Sequence, residues 1–249
     1  MRKEEIIKHF FIKEKQEKLI QKYIDLLSDH NKHTNLVGKS TLLDPWKSHI
    51  LDSLQILPLI KNKKSSILDM GSGAGFPGNA LSILGCQNVI LIDSNGKKIN
   101  FLKRAKKDLG LKSKIILGRV EDLKNTAFDI ITSRALANLS KLFSYSHKFV
   151  KKNTVLIFLK GKTVNEEVEE ARKKWNFQLT SQQSISDSRG SVLIIKNIRK
   201  KKDPINVISQ KVLWAWPPSI PIDAPAPRRP IPVKGEDHPY SFMILIAPP

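Results

Sequence analysis

Apolar positions along the chain follow two regimes. Over the first 60 residues they recur at helical spacing: Leu19, Tyr23, Leu26 and Leu27 stand at i, i+4, i+7 and i+8 with charges between them, one apolar stripe on a helix. The polar stretch "NKHTNLVG" interrupts this pattern as a loop, and residues 42–60 resume a helix ending near Pro58. From Ser66 onward, short and nearly continuous apolar runs take over, at 66–70, 88–93, 113–117, 128–133, 154–160, 177–182 and 191–198. Helix-like stretches at 77–84, 97–109, 138–149 and 163–175 separate most of them. Strands alternating with helices of this length predict right-handed βαβ units and a parallel sheet. The last two runs are joined by "QSISDSRG" with no helix between them, which predicts a closing antiparallel hairpin.

After Lys202 the pattern stops. Eleven of the 14 prolines lie in residues 204–249, as in "PPSIPIDAPAPRRPIP", a composition that predicts a disordered or polyproline tail. The chain therefore divides into a helical extension (1–62), an α/β core (63–202) and the tail (203–249).

Composition narrows the partners. The formal net charge is +20, and residues 203–249 hold four Lys/Arg and four Asp/Glu, so the whole excess lies in the first 202 residues. That balance suits either a polyanionic partner or a lysine-rich solvated surface. Cys86 is the one cysteine, which excludes an internal disulfide or a cysteine zinc cluster. No apolar run approaches 18 residues, and "MRKEEIIKHFF" carries acids where a signal peptide would be apolar. A soluble, cytoplasmic protein is expected, with no membrane partner and no metal.

The chemistry centres on "SSILDMGSGAGFPG", residues 65–78. Behind the first strand, Gly71, Gly73 and Gly75 permit a tight turn and close backbone approach, and Pro77 suits the first turn of a helix. A strand, a glycine turn and a helix start predict a nucleotide cradle. Two registers compete. Gly73-x-Gly75-x-x-Gly78 matches the dinucleotide fingerprint, with Asp93 20 residues on as the ribose acid. Gly71-x-Gly73-x-Gly75, with Asp69 two residues earlier, matches the turn that binds S-adenosylmethionine (SAM). Charge favours SAM, because Asp69 would repel a pyrophosphate and attract an ammonium and a sulfonium; if Asp69 is only a turn or cap residue, the two registers stand about even.

Other motifs fall around this turn. Asp93 ends the second strand, where it could accept both ribose hydroxyls or cap the next helix. Val120 and Glu121 in "GRVEDL" sit where adenine would be held, and Arg134 in "FDIITSRAL" lies just past the fourth strand, at the mouth of the crevice. Arg134 could meet the SAM carboxylate, a substrate phosphate or a structural acid. Lys160 in "FLKG", Lys97 and the other basic residues of "NGKKINFLKRAKK" could meet the phosphates of a polyanionic partner or form a solvated face. His49, Asp52 and Ser53 share a helix face expected to close over the turn. No catalytic base is assigned, and Cys86 is expected to be structural.

Seven strands with that closing hairpin resemble the layout of class I SAM methyltransferases, a Rossmann-like, mostly parallel sheet. The resemblance sharpens with "NLVG", "SHILDSL", "LDMGSGAGFPG", "LIDSNGKKINFLK", "GRVEDL", "ITSRALANL" and "FLKG", which occur in this order. Together they resemble the bacterial small-subunit (16S) ribosomal RNA guanine-N7 methyltransferase family, also called glucose-inhibited division protein B, over about residues 20–198. The resemblance implies SAM contacts at Gly71, Phe76, Val120, Glu121 and Arg134. It also implies a guanine in the 530 loop of 16S rRNA as substrate, presented as RNA or as the small subunit, to an enzyme expected to be a monomer. The proline-rich tail departs from the family. A class I methyltransferase for a small molecule or protein, and a non-catalytic RNA-binding protein with a SAM pocket, are the alternatives. The basic surface disfavours the first, and the intact turn with Asp93 and Arg134 disfavours the second.

Overall fold

The structure is a computed structural model that describes residues 1–201; the expected disorder of the proline-rich tail falls outside the described residues. Among the described residues, seven strands form one sheet in the order β3-β2-β1-β4-β5-β7-β6. They are β1 (Ser66–Met70), β2 (Asn88–Asp93), β3 (Lys114–Leu117), β4 (Phe128–Arg134), β5 (Val150–Lys160), β6 (Trp175–Gln183) and β7 (Ser191–Lys200). The first five pair in parallel, and β7 runs antiparallel to both β5 and β6. This is the class I methyltransferase layout that the strand pattern and the hairpin predicted. The order in which strands are added to the sheet reverses between β1 and β4, the switch point where open α/β sheets bind ligands beyond their carboxyl ends.

Helices cover both faces, because strands apolar on both sides need cover on both. They are α1 (Lys3–His9), α2 (Glu14–Asn31), α3 (Asp52–Leu54), α4 (Gly78–Ile83), α5 (Gly96–Leu109), α6 (Leu139–Ser146) and α7 (Val164–Lys174). Strand alternation sorts the core into two layers. Ile67 of β1 joins Ile20, Tyr23 and Leu27 of α2 and Phe101 of α5 on one face, while Leu68 and Met70 join Phe143 of α6 and Phe158 of β5 on the other. The N-terminal helices thus share a core with the sheet, and Met1–Lys201 is one compact unit. No helix among the described residues is long and apolar enough to cross a membrane.

The expected single helix over 42–60 is broken. A π-helical segment, Trp46–Leu51, runs into the one-turn α3, and a 3₁₀ turn follows at Leu57–Leu59. Two features account for this. The Ser53 hydroxyl donates back to the His49 carbonyl at 2.6 Å, which competes with the regular ladder, and Pro58 brings no N–H. β5 also starts four residues earlier than expected, across a register shift against Phe128–Ile130 where the Thr154 hydroxyl donates to the Phe128 carbonyl.

Candidate functional site

The turn after β1 is built around three glycines in the left-handed region: Gly71 (φ 66°), Gly73 (φ 56°) and Gly75 (φ 86°). Their surroundings differ. A Cβ on Gly75 would lie 2.2 Å from the Tyr23 hydroxyl, whereas one on Gly73 would meet only the Gly71 carbonyl, at 3.9 Å. Gly75 is therefore demanded by the fold, and Gly73 leaves open space. The Tyr23 hydroxyl donates to the Ala74 carbonyl at 2.7 Å and accepts from the Asn79 amide at 3.0 Å, whose oxygen in turn accepts from Ser113. The buried network pins the turn to α2. Burial raises the Tyr23 pKa, so it stays a donor. Sequence reasoning took Tyr23 only as an apolar stripe residue; a tyrosine where leucine would suffice, and an asparagine within the apolar start of α4, were the available signals.

Asp93 closes the turn from the other side. Its carboxylate accepts the Gly73 N–H at 2.9 Å and the Asn95 N–H at 2.8 Å, and Asn95 caps α5 through the Lys97 and Lys98 N–H groups. A small cleft of about 90 Å³ lies between the tips of β1 and β2 and the loop after β3, lined by Gly71, Asp93, Val120, Glu121, Leu136 and Tyr145. Leu136, from the exposed loop after β4, narrows it by lying directly on Gly71. The structure thus gathers Gly71, Asp93, Val120 and Glu121 around one crevice at the switch point. Gly73 stands beside it, through its bond to Asp93.

Asp69 does not face that crevice. In β1 it pairs with Thr132 of β4 and lies on the same strand face as Ile67, so its side chain enters the core. The carboxylate accepts from the Thr132 hydroxyl at 2.8 Å and from the first α4 N–H, Gly78, at 3.1 Å. The anion at the start of α4 is thus the protein's own. Burial pushes the Asp69 pKa up to about 6, against the pull of these bonds. Asp69 thus takes the turn-and-cap role, bracing the turn from within, rather than facing the crevice as an attractor of ammonium and sulfonium.

Lys160 is likewise taken up internally. Its nearly buried ammonium bonds Glu167 of α7 at 2.6 Å and the Ala137 carbonyl at 2.8 Å, and Glu167 also accepts the Leu139 N–H at 2.8 Å. Lys160 thereby braces the loop after β4, and it also lines a cavity of about 210 Å³ beyond the end of β5. Lys97 is exposed at the start of α5, and Lys103, Arg104 and Lys107 are exposed along it.

Arg134 sits in a network with the broken helical segment. Its Nη1 donates to Asp52 Oδ2 at 2.9 Å and to the Ser48 carbonyl at 3.3 Å, and its Nη2 donates to His49 Nδ1 at 3.3 Å. An arginine can only donate, so His49 Nδ1 accepts and Nε2 carries the proton toward Thr41, 2.9 Å away. Burial first, and Arg134 second, push the His49 pKa down to about 3. Phe76 is buried, its ring stacked on His49 (5.0 Å, 9° between planes), with the guanidinium 5.4 Å from its centroid. Of His49, Asp52 and Ser53, only His49 meets the turn, by stacking on Phe76; Asp52 turns to Arg134 and Ser53 to the His49 carbonyl.

The family model "GidB: rRNA small subunit methyltransferase G" matches residues 16–196. The chain belongs to the rRNA small subunit methyltransferase G family. It is 43% identical to the protein of that name from Orientia tsutsugamushi (strain Boryong) over 176 residues, 71% of this chain and 88% of that one. With the protein of the same name from Zymomonas mobilis the identity is 35% over 202 residues, 78% and 91% of the two chains. Among solved structures, a ribosomal protein L11 methylase from Lactobacillus delbrueckii subsp. bulgaricus aligns with a TM-score of 0.49 and 18% identity, over 61% of this chain and 77% of that one. The family uses SAM, and the groups at the crevice fit its parts, with open backbone at Gly73, a carboxylate at the tip of β2 and a part-apolar wall at Val120, while Leu136 over Gly71 narrows the cleft to about 90 Å³.

Proposed function

We propose that this protein transfers the methyl group of SAM to N7 of a guanine in the 530 loop of 16S rRNA, acting as a cytoplasmic monomer on the RNA or the small subunit. The observation that carries the reading is the convergence of the glycine turn, Asp93 and Val120–Glu121 on one crevice beside Arg134, in a chain of this family. SAM, when bound, supplies an electrophilic methyl group on a sulfonium. Asp93 would accept its ribose hydroxyls, since each carboxylate oxygen has a lone pair beyond the one given to Gly73 or Asn95. Val120 and Glu121 would hold the adenine, and the Gly71–Gly75 backbone the methionine arm, once Leu136 turns off Gly71. Lys97 and the exposed basic face of α5 would meet RNA phosphates.

Guanine N7 has an in-plane lone pair and no proton, so the chain needs no general base. The one imidazole at the site, His49, has both ring nitrogens engaged. The protein's part is to position and desolvate the acceptor.

The test is labelled SAM offered with undermethylated small subunits, naked rRNA and cell extract. Label should enter rRNA. Label entering only protein or small metabolites would overturn the reading.

A further inference from the structure

The two edges of the sheet are unlike in charge. β1–β5 all begin at the edge away from the crevice, β6 begins there too, and antiparallel β7 ends there. The segments on that amino edge are 61–66, 84–88, 106–114, 123–129, 149–153, 172–176 and 198–201. They hold sixteen Lys/Arg against two acids, Asp108 and Asp129. The segments on the carboxyl edge, 71–78, 94–98, 118–122, 134–138, 160–167 and 184–190, hold seven against five. A lysine-rich composition alone would load both edges alike, so the asymmetry belongs to the amino edge itself.

Helix dipoles and ion pairs answer only part of this charge. The last turns of α5 and α7 hold five of the sixteen, where a cation faces the negative end of a helix. Lys63 donates to the Leu84 carbonyl at 2.9 Å, and Lys151 pairs with Asp129 at 2.6 Å. The other nine are all exposed, and their side chains make no hydrogen bond or ion pair among the described residues. They include Lys64 before β1, Lys112 and Lys114 at the start of β3, and Lys152 at the start of β5. At about 4.8 Å between strands, the seven-stranded edge is roughly 29 Å wide. The large apolar side chains exposed among the described residues, such as Phe11, Leu43 and Leu117, lie in none of these segments. The face therefore lacks the apolar centre of a protein interface and the apolar side of a membrane-binding helix.

We propose that the amino edge is a second RNA-docking surface, whose lysines take the phosphates of an rRNA segment other than the one whose base enters the crevice. The inference rests on the RNA methyltransferase reading. β1 and β2, of five and six residues, set the two edges roughly 17–20 Å apart at about 3.3 Å per residue. α5 links them: Lys97 lies at its start on the carboxyl edge and Lys107 at its end on the amino edge, with Lys103 and Arg104 exposed between. Phosphate contacts fix the orientation of an RNA without reading its sequence. The crevice then selects the base, while the far edge holds the surrounding RNA in register.

The test compares the full wild-type chain with two fourfold variants. One carries Lys64→Gln, Lys112→Gln, Lys114→Gln and Lys152→Gln; the control carries Lys8→Gln, Lys18→Gln, Lys22→Gln and Lys32→Gln, which removes the same charge around α1 and α2. In filter binding to 16S rRNA at about 0.1 M salt, the amino-edge variant should lose about tenfold or more in affinity and the control less than about threefold. The slope of log affinity against log salt should become shallower by about 0.7 for each phosphate contact removed. A short stem-loop holding only the acceptor guanine should bind the amino-edge variant within about twofold of wild type, because it does not reach the far edge. Calorimetry should show S-adenosylhomocysteine affinity unchanged, and methylation of small subunits should show a raised KM for RNA with kcat kept. Wild-type affinity of the amino-edge variant for 16S rRNA overturns the proposal, as does an equal loss in the control or on the stem-loop. Phosphatidylglycerol vesicles that capture wild type and release its rRNA would assign the edge to lipid and overturn it too. If wild type methylates no RNA, the functional reading fails, and the rRNA-binding comparison still decides the docking surface.

Discussion

The Asp93 carboxylate accepts the Gly73 N–H at 2.9 Å, tying the tip of β2 to the turn that follows β1. The same group accepts the Asn95 N–H, so one side chain sets both the glycine turn and the entry to α5. Asp93→Ala should weaken SAM by about 1–3 kcal/mol in calorimetry, through lost ribose bonds and a loosened turn. A variant that melts earlier but binds SAM with wild-type affinity would leave Asp93 a turn and cap residue only.

Gly73 and Gly75 should respond differently, although both have positive φ. Gly75→Ala drives a Cβ to 2.2 Å from the Tyr23 hydroxyl and 2.8 Å from the Asn79 amide, so it should damage the fold. Gly73→Val has room, and carries mainly the backbone cost, on the order of 1–3 kcal/mol for a side chain in that region. It should remain folded yet lose SAM, because the added carbons occupy the open face of the turn. Thermal unfolding and calorimetry on both variants check the contrast.

Much of this site was legible because it is encoded locally. Glycines at alternate positions after an apolar strand, an acid at the end of the next, and "GRVEDL" after the third fix where the chain turns at the carboxyl edge of a parallel sheet. What was not legible depends on partners distant in sequence. Whether Asp69 faces the crevice or the core is decided by its register against Thr132, 63 residues on. Lys160 looked free at a strand end until α7 brought Glu167 to it. The π-helical turn at Trp46–Leu51 left no periodic trace, since one extra residue in a turn does not change which residues are apolar.

Two buried groups give stability an unusual pH profile. Asp69, raised to about 6, contributes stability that is present below its unfolded pKa near 4 and lost as pH rises through 6. His49, depressed to about 3, contributes stability that is present above its unfolded pKa of 6.5 and lost as pH falls toward 3. Between about pH 4 and 6 the two slopes oppose each other, so wild type should be nearly flat there. His49→Gln removes one slope, and its denaturation midpoint should fall as pH rises through that window. A midpoint that instead rises with pH in the variant would mean that Asp69 is ionised in the fold well below pH 6.

The absence of a proton on the proposed acceptor has a kinetic consequence. Single-turnover methylation at saturating RNA and SAM should be nearly independent of pH between roughly 6 and 9, because nothing must be deprotonated. A steep rise with a defined pKa would indicate an amine or hydroxyl acceptor.

The identity of the methylated atom decides between N7 transfer and every other reading. Undermethylated small subunits treated with this protein and labelled SAM can be digested to nucleosides and the labelled product identified. Label is expected in 7-methylguanosine alone, released from a fragment of the 530 loop. Label in a base methylated on carbon, on an exocyclic amine or on ribose would contradict it.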